Sequence, residues 1–138
     1  MKKIILLLLI SLSVASIHAQ TNQAHKRDSL QSALQKEKTD SGRVLLLAEL
    51  SFQIHEIKPD TAMILALEAL ELSRRIGFEK GEAVSLNRVG NVFSVLGNYL
   101  KALEAYLNAL KINEKIENLD GKQRNLSNIG YIYFFQGD

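Results

Sequence analysis

The side chains able to do chemistry in this chain are few and scattered. Acid–base or nucleophilic catalysis needs several titratable groups converging on one pocket. There are three histidines. His18 lies in an apolar leader, His25 in a polar stretch, and His55 precedes Glu56 with no second histidine one helical turn away to complete a zinc-binding pair. Zinc needs three or four ligands, so no metal is expected. Cysteine is absent, which removes disulfides, zinc thiolates, thiol catalysis and a lipid anchor on a cysteine. Gly121-Lys122 is like the tail of a phosphate loop, but the upstream glycine, the following Ser or Thr and a preceding strand are all missing. Asn125-Leu126-Ser127 has the form of a glycosylation acceptor but falls within a helical stretch. The mixed charges from Glu68 to Arg74 suit the wet face of a helix. No catalytic constellation, metal site or cofactor site is expected.

Charge narrows the partners. Seventeen basic residues face 15 acidic ones, for a net charge of +2. Without Lys2 and Lys3 the balance is 15 against 15, or zero. A nucleic-acid binder needs a basic surface to displace counterions from phosphates, so none is expected as a partner. Lys2 and Lys3 instead head a secretory signal peptide over 1–19: a positive start, the apolar run Ile4 to Ile10, and small residues from Ser11 offering cleavage after Ala19 or Ala15. The apolar run is shorter than the roughly 20 residues that cross a bilayer. The mature chain is therefore expected outside the cytoplasm, periplasmic or otherwise extracytoplasmic, and resting on a packed core alone.

The elements that position any surface come from an internal repeat. Leu86, Val89, Gly90 and Phe93 recur 40 positions later as Leu126, Ile129, Gly130 and Tyr133. Ala62, Ala69, Leu70, Ile76 and Gly81 recur as Ala102, Ala109, Leu110, Ile116 and Gly121. A period of this length marks stacked supersecondary units. Each unit reads as two helices. Apolar residues at helical spacing predict one from Lys80 to Leu96, ended by Gly97, and one from about Tyr99 to Ile116, ended by Asp120-Gly121. The next runs from near Lys122 to Phe135. Upstream, Ser41 to about Glu56 and Pro59 to Ile76 form another pair, with Pro59 suited to a first helical turn. In this pair Leu47, Leu50, Ser51 and Ile54 fit the pattern only if the connection is one residue shorter. Asp28 to about Lys38 predicts a lone capping helix. The expected organisation is a leader over 20–40, a degenerate unit over 41–79, a full unit over 80–119, and the first helix of a further unit over 120–138. Gly90 and Ala102 are expected to let two helices approach closely, with Phe93 and Tyr106 filling the space beside them.

The run Leu86-x-x-Val89-Gly90-x-x-Phe93, then Gly97-x-Tyr99-x-x-Ala102-x-x-x-Tyr106-x-x-Ala109, resembles the tetratricopeptide-repeat family. The resemblance spans Ser41 to Asp138, with Leu126, Ile129, Gly130 and Tyr133 beginning a further copy. Leucine stands where tryptophan is frequent, the proline after the second helix is missing, and the unit is longer than the family's usual one. The resemblance implies an all-α fold, a right-handed α-solenoid of stacked antiparallel helix pairs. It also implies that first helices line a concave groove for a protein or peptide. Carried over position by position, the groove would present Phe52 and His55, then Asn87, Asn91 and Ser94, then Ser127, Tyr131 and Phe134.

The helix ending at Phe135 carries Ile129, Ile132, Tyr133, Phe134 and Phe135 with no following helix to cover them. Exposed apolar surface of that kind marks an interface. The expectation is that the sequence is part of a longer protein, with membrane attachment through a C-terminal portion; self-association through this open end is the alternative. The leader and layout resemble bacterial sensor proteins with such repeats ahead of a histidine kinase or regulator output, so the implied role is an extracytoplasmic protein-binding input region. A stand-alone exported adaptor for envelope proteins is the second reading.

Overall fold

A computed structural model of the chain describes residues 20–137. The signal peptide expected over 1–19 lies outside the described residues. Those residues are helical, with no strand among them. We label the helix at residues 20–36 α1, and then α2 Asp40–Ile54, α3 Pro59–Arg75, α4 Glu79–Val95, α5 Tyr99–Lys115 and α6 Leu119–Gln136. The capping helix thus starts earlier than Asp28.

From α3 onward the helices begin every 20 residues, and α3, α4 and α5 are each 17 residues long. One closure explains the regularity. Gly77, Gly97 and Glu117 take positive φ of 67°, 72° and 53°. The next backbone N–H then folds onto the carbonyl five residues back: Phe78 onto Ser73 at 2.8 Å, Asn98 onto Phe93 at 2.8 Å, Asn118 onto Asn113 at 2.9 Å. This left-handed closure satisfies carbonyls the helix would otherwise leave bare. Asn98 and Asn118 then cap the following helix, their side chains accepting from the N–H of Lys101 and Gly121. Asp120-Gly121, expected to end α5, instead lies in the first turn of α6. The break falls at Glu117, because the closing backbone geometry recurs there even without glycine.

The α2–α3 connection departs from this scheme. It has no left-handed residue, and the N–H groups of Ile57 and Lys58 both return to the Ile54 carbonyl. Thr39 caps α2 and Pro59 opens α3. Ser51, fully buried, donates its hydroxyl to the Ala62 carbonyl at 2.8 Å and ties the pair together.

Each helix packs on its sequence neighbours, and the core is a chain of clusters rather than one centre. Val44, Leu47 and Ala48 meet Ala69 and Leu72 of α3, with Leu34 of α1 against them. Ala66 and Leu70 meet Leu86, Val89, Ala105 and Ala109. Ala102 and Tyr106 meet Ile132 of α6. The alanine stripes Ala62-Ala66-Ala69 and Ala102-Ala105-Ala109 are all buried, so α3 and α5 present low ridges that neighbouring helices approach closely. In addition the backbones of α2 and α4, and of α4 and α6, lie close together, whereas those of α3 and α5 stay farther apart and share only the side-chain cluster around Leu86 and Val89. The array therefore curves toward the α2, α4, α6 side.

Gly90 faces the Tyr106 ring: a Cβ there would lie 2.4 Å from Cε1. Gly130, 40 residues on, would meet nothing within 4 Å, since no described helix covers that face of α6. Leu126 and Tyr133, which share that face, are 55% and 45% exposed. Gly90→Ala should therefore lower unfolding stability by about 1–3 kcal/mol through overpacking. Gly130→Ala should be neutral or stabilising by up to about 1 kcal/mol through helix propensity. Equal effects of the two substitutions in urea melts would contradict this packing. Glu117→Gly should add about 1 kcal/mol by relieving a left-handed side-chain residue, read in the same melts.

Candidate binding groove

The curved side is lined by alternate helices. A cavity of about 320 Å³ is bounded by Phe52, His55 and Glu56 at the end of α2, Asn91, Ser94 and Val95 of α4, Tyr106 of α5, and Asn128 and Tyr131 of α6. Of the eight residues expected in a groove, the fold brings five together here: Phe52, His55, Asn91, Ser94 and Tyr131. Their helices place them so because α2, α4 and α6 share one side of the array.

Phe52 anchors one wall. Its ring stacks on His55 at 5.2 Å and 15° between planes, and the Arg88 guanidinium sits 4.4 Å from its centroid on a neighbouring helix. His55 Nδ1 lies 2.6 Å from the Phe52 carbonyl oxygen, which fixes the imidazole against the turn. Arg88 is only 7% exposed and forms no ion pair among the described residues. Burial brings its pKa down from 12.5 to about 10, and the like charge of Arg124 acts the same way, opposed by Glu49 and Tyr106. Glu49 is already engaged: Lys26 of α1 pairs with it at 3.0 Å and Gln53 donates to it at 2.9 Å.

Asn91 is the hub of the groove floor. Its Oδ1 accepts the Tyr106 hydroxyl at 3.0 Å from α5 and the Asn128 amide at 3.3 Å from α6. A residue expected to hold a peptide backbone thus also joins three helices. Burial pushes the Tyr106 hydroxyl up from 10.0 to about 12, against smaller opposing contributions from a Ser94 hydrogen bond and the Arg88 charge.

Asn87 does not join this cavity. It is 4% exposed and lines a second, smaller one of about 150 Å³ between α4, α5 and α6, with Lys80, Asn113, Asn118, Gly121, Arg124 and Asn125. Ser127 is exposed and bonds its hydroxyl to the Gln123 carbonyl within its own helix. Phe134 is exposed and lies edge-on to Phe135 at 5.7 Å, outside both cavities. Asn125, the residue of the glycosylation pattern, is 1% exposed and accepts from Asn113 through its Oδ1, so burial keeps its amide nitrogen out of reach of a glycan in this fold. Gly121 lies where a Cβ would sit 2.3 Å from Asn113 Oδ1, which accounts for the glycine without any phosphate loop.

Sequence reasoning missed Arg88, Asn113, Asn118, Asn125 and Asn128 as parts of the site. One signal was present: Asn113 continues the buried stripe Ala102, Tyr106, Ala109 at helical spacing, and a polar residue on an apolar stripe needs a partner. Among the described residues no cluster of His, Cys, Asp or Glu could hold a metal ion, and no helix is long and apolar enough to cross a membrane. The groove offers aromatic faces, amide donors and acceptors, and one buried cation. Such a surface can bind and orient. No protein-family model and no curated protein matches the chain.

Tyr106→Phe should cost about 1 kcal/mol at neutral pH through loss of the bond to Asn91. The raised Tyr106 pKa gives the sign with pH. Above pH 10 the unfolded chain releases this proton while the fold keeps it, so the contribution of Tyr106 is complete below pH 10 and is lost as pH rises toward 12. The stability gap between wild type and Tyr106→Phe should accordingly narrow over that range in urea melts; a constant gap would rule out the buried hydroxyl as its source.

Proposed function

We propose that this chain is a tetratricopeptide-repeat scaffold that binds a protein or peptide segment along the α2–α4–α6 groove on the extracytoplasmic side of a membrane. The observation that carries this reading is the alignment of Phe52, Asn91, Ser94 and Tyr131 from three alternate helices along one cavity. The 40-residue recurrence, the paired helices and the curvature toward α2, α4 and α6 support a right-handed solenoid of stacked antiparallel pairs. Aromatic anchors beside amide groups suit an extended or helical segment: rings bury apolar side chains while carboxamides meet backbone N–H and C=O groups. Export rests on the Met1 to Ala19 pattern.

Within this reading the scaffold serves as the input region of a signalling protein of the histidine kinase or regulator type. Binding would change how the stacked helices settle against each other, and a quasi-linear array passes such a change only between neighbours. The alternative is an adaptor that holds envelope proteins together without an output module.

Phe52 and Tyr131 are exposed, so replacing them should leave the fold unchanged. Phe52→Ala with Tyr131→Ala should reduce capture of envelope proteins by at least about tenfold, as for aromatic anchors of an interface, with unchanged circular dichroism. Asn91 is unsuited to this test because it also fastens α5 and α6. Capture at wild-type levels by the double variant would exclude the groove.

A further inference from the structure

The last described helix has two different sides. Asn125 and Ile132 are buried and turn toward α5. On the far side Leu119, Leu126, Gly130, Tyr133 and Gly137 follow one another at spacings of seven, four, three and four residues, a single stripe on a helical surface. Leu119 is 73% exposed and Leu126 55%. A Cβ at Gly130 or Gly137 would meet nothing within 4 Å. Inside the array the matching face is covered. Leu86, the counterpart of Leu126, is 7% exposed, and the Tyr106 ring of α5 fills the gap over Gly90. Helix α6 thus turns outward a surface of the kind that this fold buries under another helix at α4.

The stripe is complementary to itself. An antiparallel copy of α6 centred on residue 128 sets Leu126 opposite Gly130 of the second copy and Leu119 opposite its Gly137, with Gln123 opposite its Tyr133. By two-fold symmetry each of these contacts is made twice. Each leucine meets a glycine, so large side chains enter gaps and the two axes can approach closely. No other antiparallel register sets both leucines against glycines. The chain from Asn125 to Gly137 carries no Asp, Glu, Lys, Arg or His. Two copies therefore meet over this stretch without like charges in opposition, and antiparallel helix dipoles attract.

The rest of the fold offers no rival face for a second copy. Every exposed residue of α1, at the other end of the array, is polar, so stacking α6 head-to-tail onto α1 would set the stripe against polar side chains. The alanine stripes of α3 and α5 are already buried. Among the described helices only α6 exposes a glycine within an apolar stripe, the gap that a leucine of the other copy needs.

We propose that the outward face of α6 is a self-association surface, on which two copies of this chain pair as a two-fold dimer with each Leu126 seated over Gly130 of the other copy. One helix face makes a small interface, under about 1,200 Å² in total, so a micromolar dimer is expected. The contact uses none of the residues that line the groove of Phe52 and Tyr131 and does not depend on what that groove binds.

The test is sedimentation equilibrium of the chain across the micromolar range, where a concentration-dependent monomer–dimer equilibrium is expected. Leu126→Ala and Gly130→Leu should each weaken pairing at least about tenfold, the first by removing the knob and the second by filling the gap. Neither disturbs the single chain, since Leu126 is exposed and Gly130 faces open space. The combined Leu126→Ala/Gly130→Leu variant exchanges large for small and should recover pairing to within about threefold of wild type. A merely sticky apolar face would show no such recovery. Because the chain has no cysteine, disulfide trapping can read the register. Leu126→Cys mixed with Gly130→Cys should cross-link, whereas Leu119→Cys should not cross-link to itself, the two copies of that position lying about 27 Å apart along the helices. A monomer at every concentration, undiminished pairing in Gly130→Leu, or no recovery in the exchanged variant would overturn the proposal. So would a chain that stays monomeric yet captures a synthetic helix of the α5 sequence, Tyr99 to Lys115, since the face would then belong to a helix of that kind. The Phe52→Ala/Tyr131→Ala variant should dimerise as wild type does, whatever the groove captures; loss of the dimer there would place the contact elsewhere and overturn it.

Discussion

The regular part of this chain depends on one backbone event, the left-handed residue that closes α3, α4 and α5 at Gly77, Gly97 and Glu117. An α-helix left to itself ends with bare carbonyls and no fixed exit direction. The closure satisfies those carbonyls, and because it recurs every 20 residues it gives successive helices the same length and the same turn. Residues 40 apart then occupy equivalent places on successive helix pairs. That equivalence is why Leu86 and Leu126, or Gly90 and Gly130, lie on corresponding faces of α4 and α6.

Equivalent places need not have equivalent surroundings. Gly90 has the Tyr106 ring against it and Gly130 has open space. At the α3–α4 junction Ser73 and Ser85 are buried and return their hydroxyls to carbonyls of their own helices. Forty residues on, Asn113 and Asn125 reach across to each other and join α5 to α6. The longer carboxamides make a bond between helices where the serines make bonds within them. A small cavity lies at the second junction, while Phe78 and Val84 pack against the apolar cluster at the first.

Helix positions were legible because their causes are local: apolar spacing, Pro59 at a first turn, glycine at a closure. The exception is instructive. Glycine at 121 suggested a helix end, since glycine favours left-handed backbone, yet Gly121 lies within the first turn of α6, beneath Asn113. Glutamate at 117 gave no such hint and nonetheless closes α5. Both cases share a cause. A glycine can answer either a backbone requirement or a close approach, and only the neighbouring helix tells which. Asn87 illustrates the same limit for function. Its place on α4 marked it for the groove, but the packing of α6 encloses it with Asn113 and Asn125 instead.

The sequence by itself determined the all-helical character, the 40-residue recurrence, the absence of cysteine, and the set of residues on the α2, α4 and α6 faces. These follow from periodicity and composition, which act over a few residues. The tertiary structure decided which of those residues meet: that Asn91 fastens three helices, that Arg88 is buried over Phe52 without a carboxylate, and that two amide nitrogens are left without an acceptor. Hydrogen-bond satisfaction between helices depends on distances across the stack, and spacing along one chain does not specify them.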